Sequence, residues 1–232
     1  MEGKSDIPQS STRPSVSKGQ VTVESQNQPS PFARLLTAVT THLINLAPDE
    51  IDNGINHVLG LVGQFTGADC ALVLLQKNRL LSNTHEWRAP DAACAGAAIH
   101  DMPPAHMGWI LDELDQFGFV YVPNGEHLPP EAVQERRLFA AQGWQAFTAV
   151  PLVRQNTRFG LLVLLAQEQI WTNETVSLLH IVGEIFTNAL QRKDFEQREK
   201  LAYELGAELA TILDQDTLLN RTTNQLRDGL GY

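Results

Sequence analysis

The chain contains only two cysteines in 232 residues and has far fewer basic than acidic side chains. Cys70 and Cys94 are too few for a disulfide scaffold or a four-cysteine zinc site. With 17 Lys and Arg against 27 Asp and Glu, the net charge is −10. This balance argues against binding to the phosphate backbone of nucleic acids and against docking on an anionic membrane surface.

Long apolar runs are also missing. No run approaches the roughly 20 residues that a membrane-spanning helix requires, and the first twenty residues contain no apolar segment typical of signal peptides. Together with the scarcity of cysteine, this predicts a cytoplasmic protein. Residues 1–30 carry few large apolar side chains and are rich in Ser, Gln, Pro and Thr, so we predict a disordered tail there.

The remaining sequence changes its apolar period several times. Helical spacing predicts helices over residues 32–46, 51–65, 107–114, 131–142 and 173–213. Short apolar runs predict strands over residues 70–75, 80–87, 118–122, 146–153 and 159–166. Short connections favour antiparallel pairing. The prediction is an α+β fold with a central antiparallel sheet of five to six strands, flanking helices and a long C-terminal helix.

Several short stretches occur in an order that is typical of one protein family. Thr66–Asp69 leads into the first strand, and His85–Trp87 ends the second. Val150–Leu152 and Phe159–Leu161 mark the last two strands, and Ile181–Arg192 lies in the final helix. Over residues 31–193 the chain resembles a GAF domain, the sensory fold of cyclic-nucleotide phosphodiesterases, phytochromes and bacterial histidine kinases. It looks most similar to the GAF domains of multidomain sensors of the histidine kinase or diguanylate cyclase type.

The resemblance also suggests how the rest of the chain is organised. Residues 194–213 are expected to be a connecting signalling helix that leads towards an output domain. Residues 216, 220 and 226 repeat, with the same spacing, the Asp49, Asn53 and Leu59 that open the first domain. We therefore predict that residues 214–232 are the truncated start of a second GAF-like domain.

A GAF fold implies a pocket between the sheet and the covering helices. Aromatic faces supply stacking area, and His, Tyr and Trp add a few polar groups that orient a ligand. The candidate pocket residues are His85, Trp87, His106, Trp109, Tyr121, Trp144 and Phe147. The alternative is that these side chains fill the core.

Three sharper interpretations find little support in the sequence. The Asn-Lys, Phe and Asp-Glu signature of cyclic-nucleotide GAF domains is missing, and Cys94 is followed by Ala95 rather than the His typical of bilin attachment. His85, Asp101 and Cys94 could be drawn as the trio of a thiol hydrolase, and one branch of the GAF family reduces methionine sulfoxide with cysteines. The chain has only two cysteines, however, and Cys70 lies in an apolar strand and is expected to be a core residue. We therefore predict no catalytic residue, no metal and no cofactor.

The final helix predicts how a signal leaves the domain. Its middle is mostly charged around Phe195, and apolar spacing resumes at Leu201, Leu205 and Leu209. Such a helix bridges two packed bodies. We expect a homodimer through the terminal helices, an unknown small-molecule ligand and a regulatory, non-catalytic role. The alternative is a structural dimerisation or spacer domain that binds no ligand.

Overall fold

The computed structural model describes residues 30–90, 92, 99–167 and 169–230, without the side chains of 210–218, 220–222 and 225–230. The helices are α1 (Pro31–Ile44), α2 (Ile51–Thr66), α3 (Gly108–Phe117), α4 (Val133–Gln142) and α5 (Asn173–Leu230). The strands are β1 (Cys70–Lys77), β2 (Leu80–Arg88), β3 (Val120–Val122), β4 (Ala146–Arg154) and β5 (Thr157–Ala166). Short 3₁₀ turns occupy Pro48–Glu50, Pro104–Met107 and Gly125–His127.

The five strands form one antiparallel sheet in the order β2-β1-β5-β4-β3. β5 is central: Val163 pairs with Leu72 of β1 on one side and with Ala149 of β4 on the other. The three apolar runs predicted at 70–75, 146–153 and 159–166 therefore lie side by side. This confirms the predicted α+β fold with a five-stranded antiparallel sheet and a long C-terminal helix.

Both faces of the sheet are buried, which explains why its central strands are continuously apolar rather than alternating. One face, here the bundle face, packs Ala71, Val73, Val150 and Leu164 against α1, α2 and α5. The opposite face, here the α3/α4 face, packs Leu72, Leu74, Ala149 and Val163 against α3, α4 and the segments beside them. Each face has its own hydrophobic core.

Two helix ends follow the predicted glycines. Gly67 ends α2 with φ +66° and Gly143 ends α4 with φ +70°. This left-handed conformation is open to glycine because it has no Cβ to collide with the backbone. At the other end of the domain, Ser30 begins α1 by accepting a hydrogen bond from the Ala33 N–H at 3.1 Å. Apart from Ser30, the predicted disordered tail lies outside the described residues.

The final helix is longer than the sequence pattern predicts. α5 continues as one helix of 58 residues to Leu230, so the expected end at Leu213 is wrong. The reason is that no proline or glycine interrupts the chain between Gly206 and Gly229. The second GAF-like domain expected at 214–232 stays a prediction. In the part of the chain that the structure describes, no helix is both long and apolar enough to cross a membrane.

Candidate functional site

The seven predicted pocket residues do not form one site. Neighbouring side chains of a strand point to opposite faces, so the sheet separates them. His85, Trp87 and Tyr121 face the bundle. Trp109, Trp144 and Phe147 lie on the α3/α4 face, and His106 is exposed in the 3₁₀ turn Pro104–Met107. A single pocket lined by all seven is therefore wrong, and the two faces are described separately.

On the bundle face, His85 of β2 belongs to a polar cluster. Its Nε2 lies 3.1 Å from Oδ1 of Asp52 on α2, whose other oxygen pairs with Nζ of Lys193 on α5. Burial lowers the pKa of His85; the Asp52 carboxylate opposes this shift, and the Lys193 ammonium adds to it. Burial opposes the charge of Asp52, yet hydrogen bonds from Lys193 and His85 outweigh it and lower the pKa of Asp52. The sequence alone did not reveal Asp52 or Lys193 as partners of His85.

The contacts of His85 also bear on the interpretation of the chain as a cysteine-dependent enzyme. His85 is bound to Asp52, whereas Asp101 is exposed and joined to Ser82, whose hydroxyl donates to Asp101 Oδ1 at 3.2 Å. The trio of His85, Asp101 and Cys94 that was considered for a thiol hydrolase therefore lacks its His–Asp contact, and Cys94 lies outside the described residues. Cys70 is fully buried in the α3/α4 core, as the apolar run predicts.

Trp87 is packed against α2 and does not line an open pocket. Its indole ring lies across Gly60 and Gly63 of α2, and a Cβ at Gly63 would fall 2.2 Å from Trp87 Cζ3. Two glycines three residues apart thus create a flat surface on α2 that the ring fills. The ring joins β2 to α2, so Trp87 is part of the core.

Tyr121 belongs to a second anchored group on the bundle face. Its hydroxyl accepts a hydrogen bond from the Trp171 backbone N–H at 3.3 Å, and the two rings meet edge to face with centroids 6.2 Å apart. The Trp171 indole N–H in turn donates to the Thr66 carbonyl at 3.1 Å. This group ties the segment before α5 to β3 and to the end of α2.

The α3/α4 face contains an aromatic cluster of Phe139, Trp144 and Phe147. Ring centroids lie 5.6 Å apart for Phe139 and Trp144, 5.5 Å for Phe139 and Phe147, and 6.4 Å for Trp144 and Phe147. Trp144 is only 5% exposed, and its Nε1–H has no hydrogen-bond acceptor among the described residues. An unpaired buried donor costs about 1–3 kcal/mol. This donor is therefore the polar group on this face that a ligand could satisfy.

A buried carboxylate that we did not predict as a site residue lies near this cluster. Glu135 of α4 is 2% exposed, and its Oε1 accepts the backbone N–H of Trp109 at 2.7 Å. Trp109 is at the start of α3, where unpaired N–H groups and the helix dipole favour a negative charge. Glu135 thus fixes α3 to α4, while the half-buried Trp109 ring packs against the same core.

Two grooves on the surface border α5. One, of about 410 Å³, lies between α1 and α5 and is lined mainly by apolar groups, among them Leu43, Ile44 and Ile185. The other, of about 400 Å³, lies between α5 and the end of β4 and is more polar, with His180 and Glu184 among its lining residues. Neither groove includes any of the seven predicted residues. Within the described residues, no group of three or more His, Cys, Asp or Glu side chains could hold a metal ion.

Protein families and solved structures were compared with this chain to find what it resembles. The sequence profile of the GAF domain family matches residues 50–190. No curated protein shows significant sequence similarity to the chain. The chromophore-binding domain of a bacteriophytochrome from R. palustris superposes with a TM-score of 0.60 at 12% identity, covering 72% of this chain and 62% of that chain.

Other solved structures agree in fold. A phycoerythrobilin-bound GAF domain from a cyanobacterial phytochrome superposes with a TM-score of 0.59 at 13% identity, covering 73% of this chain and 100% of that one. The chromophore-binding domain of a Stigmatella aurantiaca bacteriophytochrome gives a TM-score of 0.55 at 14% identity, covering 69% of this chain and 60% of the other. At these identities the likeness concerns the fold alone. The chain spans less than two thirds of both bacterial chromophore-binding domains.

Proposed function

Because this chain belongs to the GAF domain family, we propose that it is a non-catalytic sensory module that transmits ligand binding through α5. The observation that carries the proposal is the continuity of α5. Phe186 and Leu190 of this helix are buried in the bundle core, and from Asp194 onwards its described side chains are exposed. A change in how the domain packs on α5 therefore changes the direction of one rigid rod. Residues 191–230 correspond to about 60 Å of helix.

The α3/α4 face is the proposed ligand side. The phytochrome domains of the same fold are described as chromophore-binding or bilin-bound, but covalent bilin attachment is not part of this proposal, because Cys94 is followed by Ala95. We propose a small, flat, largely apolar molecule with a hydrogen-bond acceptor for the Trp144 indole N–H. Such a ligand would stack on the aromatic cluster and remove the cost of the unpaired donor.

β4 provides the physical route from this face to α5. Phe147 of β4 packs in the aromatic cluster, and Val150 and Leu152 of the same strand pack in the bundle core. A Cβ at Gly183 of α5 would lie 3.4 Å from Leu152 Cδ2, so the helix backbone comes close to the strand there. A ligand transmits a signal only if it binds one packing of the domain more tightly than the other.

The ligand proposal is tested by a thermal-shift and native mass spectrometry screen of flat aromatic compounds with the full chain. Compounds that raise Tm for the native protein should lose most of that effect in Trp144→Phe, which keeps an aromatic ring but removes the indole N–H. The matched control is Trp171→Phe, because the Trp171 N–H already has an acceptor on the opposite face. Compounds whose effect survives Trp144→Phe would contradict the proposed site.

We also propose a homodimer through the terminal helices. Leu201, Leu205 and Leu209 are more than half exposed and recur every four residues, so they form one apolar stripe on the solvated part of α5. The apolar groove beside α1, whose Ile44 is 61% exposed, lies nearer the N-terminal end of α5 and on roughly the opposite side of that helix. A second copy packed along α5 would bury the leucine stripe.

The dimer is tested by sedimentation velocity on the full chain. Leu205→Glu combined with Leu209→Glu should shift the protein to a monomer. The control is Tyr203→Glu, an equally radical change at an exposed residue on nearly the opposite side of the helix. The proposal fails if the native protein is monomeric at tens of micromolar, or if both variants dissociate equally.

The alternative function is a structural dimerisation or spacer domain. It is favoured by the tight packing of the α3/α4 core, where Phe139, Trp144 and Phe147 are each at most 5% exposed. On this alternative, the dimer forms but no compound in the screen raises Tm.

The wider setting of the module is also a proposal. We propose a cytoplasmic sensor in which residues 214–232 begin a second GAF-like domain and an output domain of the kinase or cyclase type follows. The repeated Asp, Asn and Leu spacing in that segment supports this organisation. A natural reading frame that continues beyond Tyr232 into strands of a second GAF fold is the expected result, and an unrelated fold at that place would contradict it.

A further inference from the structure

A polar cluster connects β2, α2 and α5 on the bundle face, away from the proposed ligand side. The side chain of His85 is only 5% exposed, so its two ring nitrogens must find their hydrogen bonds inside the protein. Nε2 lies 3.1 Å from Asp52 Oδ1, and Nδ1 lies 2.9 Å from Thr84 Oγ1. The second oxygen of Asp52 is the partner of Lys193 on α5.

Thr84 reaches the His85 ring because β2 is irregular at this point. Val73 of β1 pairs with His85 and Leu74 pairs with Asn83, so Thr84 is the extra residue of a β-bulge. In a regular strand, Thr84 and His85 would point to opposite faces. The bulge instead brings the Thr84 hydroxyl within 3.2 Å of the Val73 carbonyl as well as close to His85 Nδ1.

This cluster has two complete hydrogen-bond arrangements, one for neutral and one for charged His85. With neutral His85, Nε2–H donates to Asp52 and Nδ1 accepts the Thr84 hydroxyl proton. With charged His85, both ring nitrogens donate, and the Thr84 oxygen accepts from Nδ1–H while its own proton turns to the Val73 carbonyl. The heavy atoms are already positioned for both the neutral and the charged state of His85. Proton uptake therefore requires only the rotation of one hydroxyl.

We propose that His85 is a proton-operated switch whose protonation weakens the hold of Asp52 on Lys193 and so loosens α5 where it leaves the domain. The charged groups that act on His85 are Asp52 from α2 and Lys193 from α5. When His85 is neutral, the Asp52 carboxylate serves one cation. When His85 is charged, the same carboxylate lies between two cations that repel each other.

Thermodynamic linkage also predicts that protonation of His85 weakens the Lys193 contact. The Lys193 ammonium lowers the pKa of His85, so by linkage a proton on His85 must disfavour Lys193 in its place by an equal free energy. The coupling bears on α5 because Lys193 lies where this helix leaves the domain. Leu190 is buried, Arg192 donates to the α1 carbonyls of Leu43 and Ile44, and Lys193 contacts Asp52 just before the exposed part, where Asp194 pairs with Arg154 of β4 at 3.4 Å. Loss of the Lys193 contact leaves the exit held by Arg192 and by the exposed Asp194–Arg154 pair.

The coupling is tested by NMR titration of the His85 ring in the full chain. Lys193→Gln should shift the pKa of His85 upward, because it removes the repelling ammonium. Lys200→Gln makes the same charge change farther along α5, at an exposed residue, and should leave the pKa of His85 unchanged. Equal shifts in both variants, or no shift in Lys193→Gln, would overturn the proposal.

The effect on α5 is tested by hydrogen exchange at residues 191–200 between pH 6.5 and 4.5, corrected for intrinsic exchange rates. The native protein should lose protection there as the pH falls. His85→Gln, which can donate to Asp52 but cannot titrate, should keep it. The sign also holds for stability: because the pKa of His85 is lowered on folding, its contribution is present above about pH 6.5 and is lost as the pH falls. An identical pH profile in both proteins would exclude the switch.

Discussion

The two faces of the sheet are both buried, but they are covered by very different material. On the bundle face lie α1 and α2, of 14 and 16 residues, and the first part of the 58-residue α5. On the α3/α4 face lie two helices of 10 residues each and short 3₁₀ turns. The bundle face is also cross-linked by polar contacts between elements, such as Trp171 to Thr66 and Arg192 to the end of α1. On the α3/α4 face, Glu135 links α3 to α4, and the Trp144 donor has no acceptor among the described residues.

This difference suits the two tasks that the proposed function requires of one domain. Long helices with cross-linked termini make a stiff frame that can move as a unit and transmit a change. Short helices joined by turns open at lower free energy and can rearrange around a ligand. In the function that we propose, the bundle face transmits the signal and the α3/α4 face receives the ligand. Paired substitutions on the two faces test this division.

The largest effect is expected where the bundle core loses a ring. Phe186 of α5 is fully buried, and Phe186→Ala should lower the free energy of unfolding by about 3–5 kcal/mol through lost burial and an unfilled cavity. Ile110→Ala on α3 should cost about 2–3 kcal/mol, because a short helix can close part of the cavity. Urea unfolding measures both. A larger loss for Ile110→Ala would reverse the comparison of the two faces.

A second pair of substitutions adds one methyl group to each side. Gly63→Ala should destabilise the protein by about 1–3 kcal/mol, since the new Cβ would fall 2.2 Å from Trp87 Cζ3. Gly108→Ala at the start of α3 meets nothing within 4 Å. It should stabilise the protein by up to about 1 kcal/mol, because alanine favours the helix more than glycine does. Thermal unfolding of the two variants should shift Tm in opposite directions.

The two buried tryptophans make a smaller contrast. Both Trp171→Phe and Trp144→Phe lose part of a buried ring and leave a similar cavity. Trp171→Phe also removes a hydrogen bond to Thr66, whereas Trp144→Phe removes a donor that has no acceptor, so Trp171→Phe should cost about 0.5–1.5 kcal/mol more. Chemical denaturation distinguishes them. An equal cost at both positions would mean that Trp144 is already satisfied, which would remove the basis for the ligand site.

The smallest effect is expected at the surface link between the sheet and α3. Arg158 of β5 holds Asp115 of α3 with two hydrogen bonds of 2.9 and 3.1 Å. Arg158→Lys keeps the charge but loses the paired geometry, so it should cost about 0.2–1 kcal/mol, and less at high salt. The control is the same measurement in 1 M NaCl. A cost that does not fall with salt would show that Arg158 acts through packing.

The pattern of residues allowed much of the fold to be predicted, because apolar period reports which segments have one or two buried faces. The run at 70–75 has no polar alternation, and a strand covered on both sides has none. The glycines after α2 and α4 marked their ends for an equally local reason. The end of α5 was not predictable in this way, because the segment after Leu213 has weak periodicity and no residue that stops a helix.

By itself, the sequence determined the fold class, the strands, the long final helix and the presence of aromatic and polar candidates. Only the tertiary structure decided which of those candidates meet. Strand alternation sent Trp87 and Phe147 to opposite faces, and a single bulge at Thr84 placed its hydroxyl beside His85. Asp52 and Lys193 are 141 residues apart in the chain and share one carboxylate contact. Such contacts depend on register and on the angle between helices, and neither is encoded in the period of a single segment.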